Sequence, residues 1–156
     1  RYRPGPDAAP LAPEQFRPSK MVWLCYEAIG VSAPSHPSEV FVAGCHIGRL
    51  APGPGSSEST GNWGKEARIP LTPEATAALD EFTQIRIRNP KGDCFKIRNA
   101  RIEIELQDGR RASSLITATT YTQPEGWLHA EGTGIPANQD IQFNIRFLLF
   151  PCGRAL

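Results

Sequence analysis

The side chains in this sequence best suited to chemistry are aromatic rings set among turn-forming residues. Trp63 ends the Gly/Pro/Ser-rich run APGPGSSESTGNW, Tyr121 stands just before Gln123-Pro124-Glu125-Gly126, and Trp127 follows it directly. A sugar ring offers apolar C–H faces that stack on aromatics, and its hydroxyls need amides, carboxylates or an imidazole nearby. Asn62, Gln123, Glu125 and His129 supply such groups beside the rings. Trp63, Tyr121, Trp127, Asn62, Gln123, Glu125 and His129 are therefore the candidate ligand-binding residues. The competing reading makes each of these tryptophans a plug at the end of the fold, because Trp is well buried on average. Trp23, inside an apolar run, is expected in the core.

Catalytic chemistry has less support. Hydrolysis needs a nucleophile with an orienting base, or two carboxylates facing each other across a bond, and neither pattern is present. Glu103 and Glu105 lie two apart on one strand and are expected to point into solvent, in cross-strand ion pairs with Arg86 and Arg88. No G-x-S-x-G motif occurs, and GPGS and GDC lack the strand-to-helix context of a phosphate loop. Cys45-His46 resembles a metal fragment, but zinc takes four ligands, and His36 and His129 have no matching spacing. The expectation is no enzyme, no cofactor and no metal. Arginines 86, 88, 98, 101, 110 and 111 crowd one part of the sequence; the acids between them, Glu103, Glu105 and Asp108, favour pairing on a solvated face over ligand contact.

The elements that must hold these residues read as short strands. The 156 residues suffice for one domain with its own core. Fifteen Pro and fourteen Gly, poorly tolerated inside helices, favour strands joined by turns. With 17 Lys+Arg against 16 Asp+Glu, no overall charge attracts nucleic acid or an anionic membrane, and neither is expected as a partner. No apolar run is long enough for a membrane span and the start shows no signal core, so a soluble chain is expected. Cys25, Cys45, Cys94 and Cys152 match no CxxC-type motif; three disulfide pairings can be drawn, and reduced thiols are favoured.

Residues 1–18, RYRPGPDAAPLAPEQFRP, contain five prolines and read as an arm or linker, with Leu11 and Phe16 able to dock; residues 19–156 read as one domain, its folded structure beginning at Lys20. Period-2 alternation predicts strands over 21–28, 39–43, 47–50, 69–71, 83–88, 101–106, 113–120, 126–131 and 140–149. Thr72-Pro73-Glu74 predicts a short helix reaching about Leu79, and Gln107-Asp108-Gly109 a hairpin turn. The inward set is expected to include Val22, Leu24, Val40, Val42, Ile85, Ile87, Ile102, Ile104, Phe143 and Ile145. Eight or nine strands with one small helix describe an all-β, antiparallel β-sandwich of the jelly-roll type.

The segments EVFVAGCHIGRL, NWGKEARIPLT, LDEFTQIRIRN and DCFKIRNARIEIELQDG, in that order, resemble the galactose-binding-like jelly rolls found as carbohydrate-binding modules. That family leads a strand into a turn of the form V-N-G-x-x-(I/L)-G, follows it with an aromatic-bearing loop, and ends on a long I-x-I-x-L strand. Here Ala43 stands where Asn is common before Gly44. The resemblance spans roughly 85 residues, from Val22 to Leu106. It implies a noncatalytic module binding a glycan or polysaccharide, secreted or extracellular, with no calcium ligands that transfer to positions here. The alternative is a structural sandwich whose loops contact a partner domain.

Overall fold

A computed structural model gives the fold and describes residues 1–16, 21–57, 61–129 and 131–149. In chain order the strands are β1 (Tyr2–Arg3), β2 (Met21–Ile29), β3 (Glu39–Val42), β4 (Cys45–Arg49), β5 (Ala67–Pro70), β6 (Phe82–Arg88), β7 (Phe95–Glu105), β8 (Arg111–Ser113), β9 (Ile116–Thr117), β10 (Tyr121–Gln123), β11 (Thr133–Gly134) and β12 (Ile141–Arg146). Helix α1 (Pro73–Ala77) lies between β5 and β6. Nine of the twelve strands have three residues or more, which meets the expected number; β1, β9 and β11 are two-residue ladders.

Two sheets form the layers of an all-β sandwich. One runs β11-β10-β7-β2-β5, with β8 also paired to β7, and the other runs β12-β6-β3-β4. Pairing is antiparallel except between β10 and β11. Alternation on β2 turns Val22, Leu24, Tyr26 and Ala28 inward against Val40, Val42, Ile85, Ile87, Ile141 and Ile145 of the facing sheet, all in one buried cluster. Of the expected core, only Phe143 is partly buried, packed at the margin of that cluster.

Strand β7 organises the larger sheet, and half of it is hidden from period-2 reading. Cys25 pairs with Arg101 but Glu27 pairs with Arg98, so β7 carries one extra residue there. Asn99 takes the left-handed conformation, φ 56°, as Asn does more readily than most residues. The bulge flips the inward set from Phe95 and Ile97 to Ala100, Ile102 and Ile104. Only the second half therefore shows a clean pattern in sequence.

Local chemistry sets the smaller turns. Thr72 caps α1 by accepting the Ala75 N–H, with Pro73 at the first helical position. The β3–β4 hairpin turns through Ala43 at φ 51° and Gly44 at φ 80°, the pattern of a tight two-residue turn, and this places Cys45 and His46 on β4. The segment 126–131, expected as a strand, is a turn followed by irregular chain as far as it is described; the strand beside it is β10.

The proline-rich arm packs onto the domain from the outset, its second half closing into a 3-10 helix over Pro13–Phe16, so folded structure begins before Lys20. β1 pairs with β9, Ala8 bridges Ser113, and Leu11 bridges Leu149. Leu11 and Phe16 are buried, with Phe16 edge-on to Phe147 at 4.9 Å between ring centres. Cys25, Cys45 and Cys94 are free thiols, and Cys152 lies outside the described residues. Among the described residues no helix is long and apolar enough to cross a membrane.

Candidate functional site

The sandwich distributes the candidate aromatics over three places. Tyr121 opens β10, where alternation sends its ring toward the facing sheet and Thr122 to the other face, fully buried with its hydroxyl donating to the Glu131 carbonyl at 3.2 Å. It stacks on Phe143 of β12 at 4.9 Å between centres and 16° between planes. The pair forms part of a cleft of about 500 Å³, shared with Tyr2, Thr117, Thr119, Thr133, Gln142 and Asn144, and with Arg1. The arm closes one wall: the Tyr2 hydroxyl donates to the Asn144 carbonyl at 2.9 Å. Thr117 is 4% exposed, and its hydroxyl has no hydrogen-bond partner among the described residues. Burial raises the Tyr121 hydroxyl above its ordinary pKa, while a hydrogen bond with Thr119 opposes that shift. Apart from Arg1, the cleft offers an aromatic pair ringed by neutral hydroxyls and amides.

Trp127 lies elsewhere, at the end of β2. Its ring occupies the space beside Gly30 that a side chain would need: a Cβ there would meet Trp127 Cη2 at 2.4 Å and the Cys94 carbonyl at 2.5 Å. Gly30, at φ 88°, makes this approach available. Trp127 also lines a pocket of about 340 Å³ with Ser32, His36, Asp93 and Cys94.

Trp63 sits on the outer face of the larger sheet. The Arg98 guanidinium lies over its ring at 3.8 Å, and Arg98 also donates to Glu27 at 2.8 Å. Asn62 serves its own loop, donating to the Gly55 carbonyl at 2.8 Å and accepting the Gly64 N–H at 3.2 Å. Gln123 is fully buried; its amide donates to the Pro136 and Gln139 carbonyls and its oxygen accepts from Asn89. Glu125 and His129 are exposed on the turn that carries Trp127. The structure thus puts Tyr121 in one cavity, Trp127 in another, and Trp63 beneath an arginine, with Asn62 and Gln123 as supports of the backbone.

Three sequence expectations change on this face. Trp23 points outward, because its neighbours Val22 and Leu24 point in, and it is half-buried under Arg68 at 4.3 Å and Arg111 at 5.9 Å. Glu103 does not reach solvent: at 5% exposed it accepts from Arg68, Arg101 and Arg111 at 2.8 to 3.0 Å. Arg86 belongs to the other sheet, beside Asp140 at 3.5 Å, and Arg110 pairs with Asp108 inside the hairpin turn. The arginine run in sequence is therefore dispersed in space, only Arg101 and Arg111 of it meeting at Glu103. His46 is held by Glu39 at 2.9 Å, which gives that dipeptide a structural partner.

Asn89 and Asp93 carry no functional signal in the sequence. Asn89 grips the turn from both sides, accepting the Asp93 N–H at 2.8 Å and donating to the Asp93 carbonyl at 2.7 Å. The Asn-Pro-Lys-Gly-Asp composition marks a turn, but nothing in it signals that the turn is buried. Thr117 was equally silent, since its isolation depends on β1 crossing from a distant part of the chain. Compared with protein-family models, curated proteins and solved structures, the chain matches none of them.

Proposed function

We propose that this chain is a noncatalytic glycan-binding β-sandwich of the galactose-binding-like kind, and that its sugar occupies the Tyr121–Phe143 cleft. The observation that carries this reading is the composition of that cleft. It joins a stacked aromatic pair to neutral hydroxyl and amide groups, and it contains the Thr117 hydroxyl, which has no partner among the described residues. Aromatic faces suit the C–H side of a sugar, and buried polar groups without partners suit its hydroxyls. A volume of about 500 Å³ falls within the usual range for small-ligand sites. Binding rather than hydrolysis is favoured by the state of the acids: Glu103, Glu27 and Glu39 are each engaged by arginine or histidine. The partner-domain reading has one observation in its favour, the half-exposed Trp23 and Trp63 among arginines, a pairing enriched at protein interfaces.

A glycan array probed with the whole chain and with Tyr121→Ala tests the proposal. The expected result is binding of a defined, uncharged saccharide that disappears in the variant while far-UV circular dichroism is unchanged. Absence of binding across the array, or binding that ignores the substitution, contradicts it.

A further inference from the structure

The Trp127 pocket poses a separate electrostatic problem. Asp93, only 5% exposed, faces it with a carboxylate held by two backbone donors: Ser32 N–H to Oδ2 at 3.0 Å and Cys94 N–H to Oδ1 at 2.9 Å. Among the described residues no lysine or arginine forms a salt bridge with it. Lys96, beneath the neighbouring turn, is engaged by the Leu128 carbonyl at 2.9 Å and Glu131 at 3.4 Å. A buried carboxylate is normally paired, and one left unpaired at a cavity is a candidate for meeting its counter-ion in a ligand.

The surroundings keep that carboxylate in place. Asn89 clamps the Asp93 backbone, Ser38 and Gln123 hydrogen-bond Asn89, and all four residues are buried. Such a chain of satisfied polar groups fixes a side chain without neutralising it. Burial, the largest influence, raises the Asp93 pKa; the two N–H bonds, a hydrogen bond with the Ser32 hydroxyl and the nearby His36 act against it. The Trp127 indole lines the same pocket, and an aromatic ring attracts a partly desolvated cation.

We propose that the Trp127 pocket binds the ammonium group of a small molecule, with Asp93 as counter-ion and Trp127 as aromatic wall. This goes beyond the glycan reading: it uses another cavity, another charge type and none of the residues of the Tyr121 cleft. An anionic ligand is disfavoured by Asp93, and a neutral one leaves the carboxylate unpaired. Ser32 and His36 stand at the same pocket and are placed to receive the remainder of the ligand.

The test compares choline with its neutral carbon isostere, 3,3-dimethylbutanol, on the whole chain. The readout is the Trp127 indole N–H resonance, identified by its loss in Trp127→Phe. Choline is expected to shift that resonance in a saturable way, with an affinity roughly ten-fold or more above the isostere, since an ion pair and a cation–ring contact together exceed one decade. Asp93→Asn should abolish the preference. Should that variant fail to fold, the comparison of the two compounds on the unaltered chain still decides. Equal shifts by both compounds, or none by choline, overturn the proposal whatever the glycan array shows.

Discussion

The outer face of the larger sheet and the cleft beside Tyr121 both contain aromatic rings, yet they differ in what those rings have left to offer. On the outer face Trp63 lies under Arg98 and Trp23 under Arg68, while Glu27, Glu66 and Glu103 pair with the arginines around them. In the cleft, among the described residues, no guanidinium lies over the Tyr121–Phe143 pair and the Thr117 hydroxyl has no partner. The comparison teaches that an aromatic in a Gly-rich loop is not thereby a ligand platform. What matters is whether the fold has already supplied its partner.

The largest effect that would break this contrast is at Glu103. Because three arginines converge on one buried carboxylate, Glu103→Gln should destabilise the chain by about 3 to 5 kcal/mol, as removal of one member of a buried charge group does. A denaturant titration reads it, and a loss under about 1 kcal/mol would mean the face behaves as an ordinary solvated surface.

The same face contains Cys25, whose thiol is pushed up by burial from 9.0 to about 11, Arg101 opposing that shift. The folded chain therefore holds this proton where the unfolded chain has lost it. The resulting stability is complete below about pH 9 and is lost as pH rises through about 11. It amounts to roughly 2 to 3 kcal/mol by linkage. Burial raises the Tyr26 hydroxyl too, in the same destabilising direction at high pH. Thermal melts from neutral pH to pH 11 should fall more steeply for the parent than for Cys25→Ala; parallel curves would contradict the assignment.

Trp23→Ala sharpens the comparison further. Lying half-exposed against two guanidinium groups, it should cost about 1 to 2 kcal/mol, below the roughly 3 to 5 of a buried aromatic. The smallest expected change has the opposite sign. Thr117→Val removes a buried hydroxyl without a partner and should stabilise by about 1 kcal/mol while weakening glycan binding. A variant both less stable and unimpaired in binding would remove Thr117 from the site.

Much of this architecture is legible in the chain itself. The alternation of Val40 with Val42, Ile85 with Ile87, and Ile102 with Ile104 fixes both sheets, and Thr72-Pro73 fixes the start of the helix. What stays illegible has physical causes. The bulge at Asn99 changes the phase of β7, which conceals its first half. Outward-facing Trp23 reads as core because an apolar strand in a two-layer fold does not declare which face a covering of arginines occupies. The candidate site was only partly visible for a related reason. Tyr121 and Trp127 stand six positions apart in sequence, but alternation along β10 and the turn after it send them to different cavities. The partners that define those cavities, Phe143, Thr117 and Asp93, come from other segments.

On the proposed reading the stacked Tyr121–Phe143 pair, rather than the Trp63 ring beneath Arg98, receives the sugar. Isothermal titration of the best array-identified saccharide into the parent, Tyr121→Ala and Trp63→Ala tests it most directly. The account predicts a loss of about 1 to 3 kcal/mol for Tyr121→Ala, the range of an aromatic anchor, and a Kd unchanged within error for Trp63→Ala. A loss confined to Trp63→Ala would contradict it and move the site to the outer face of the larger sheet.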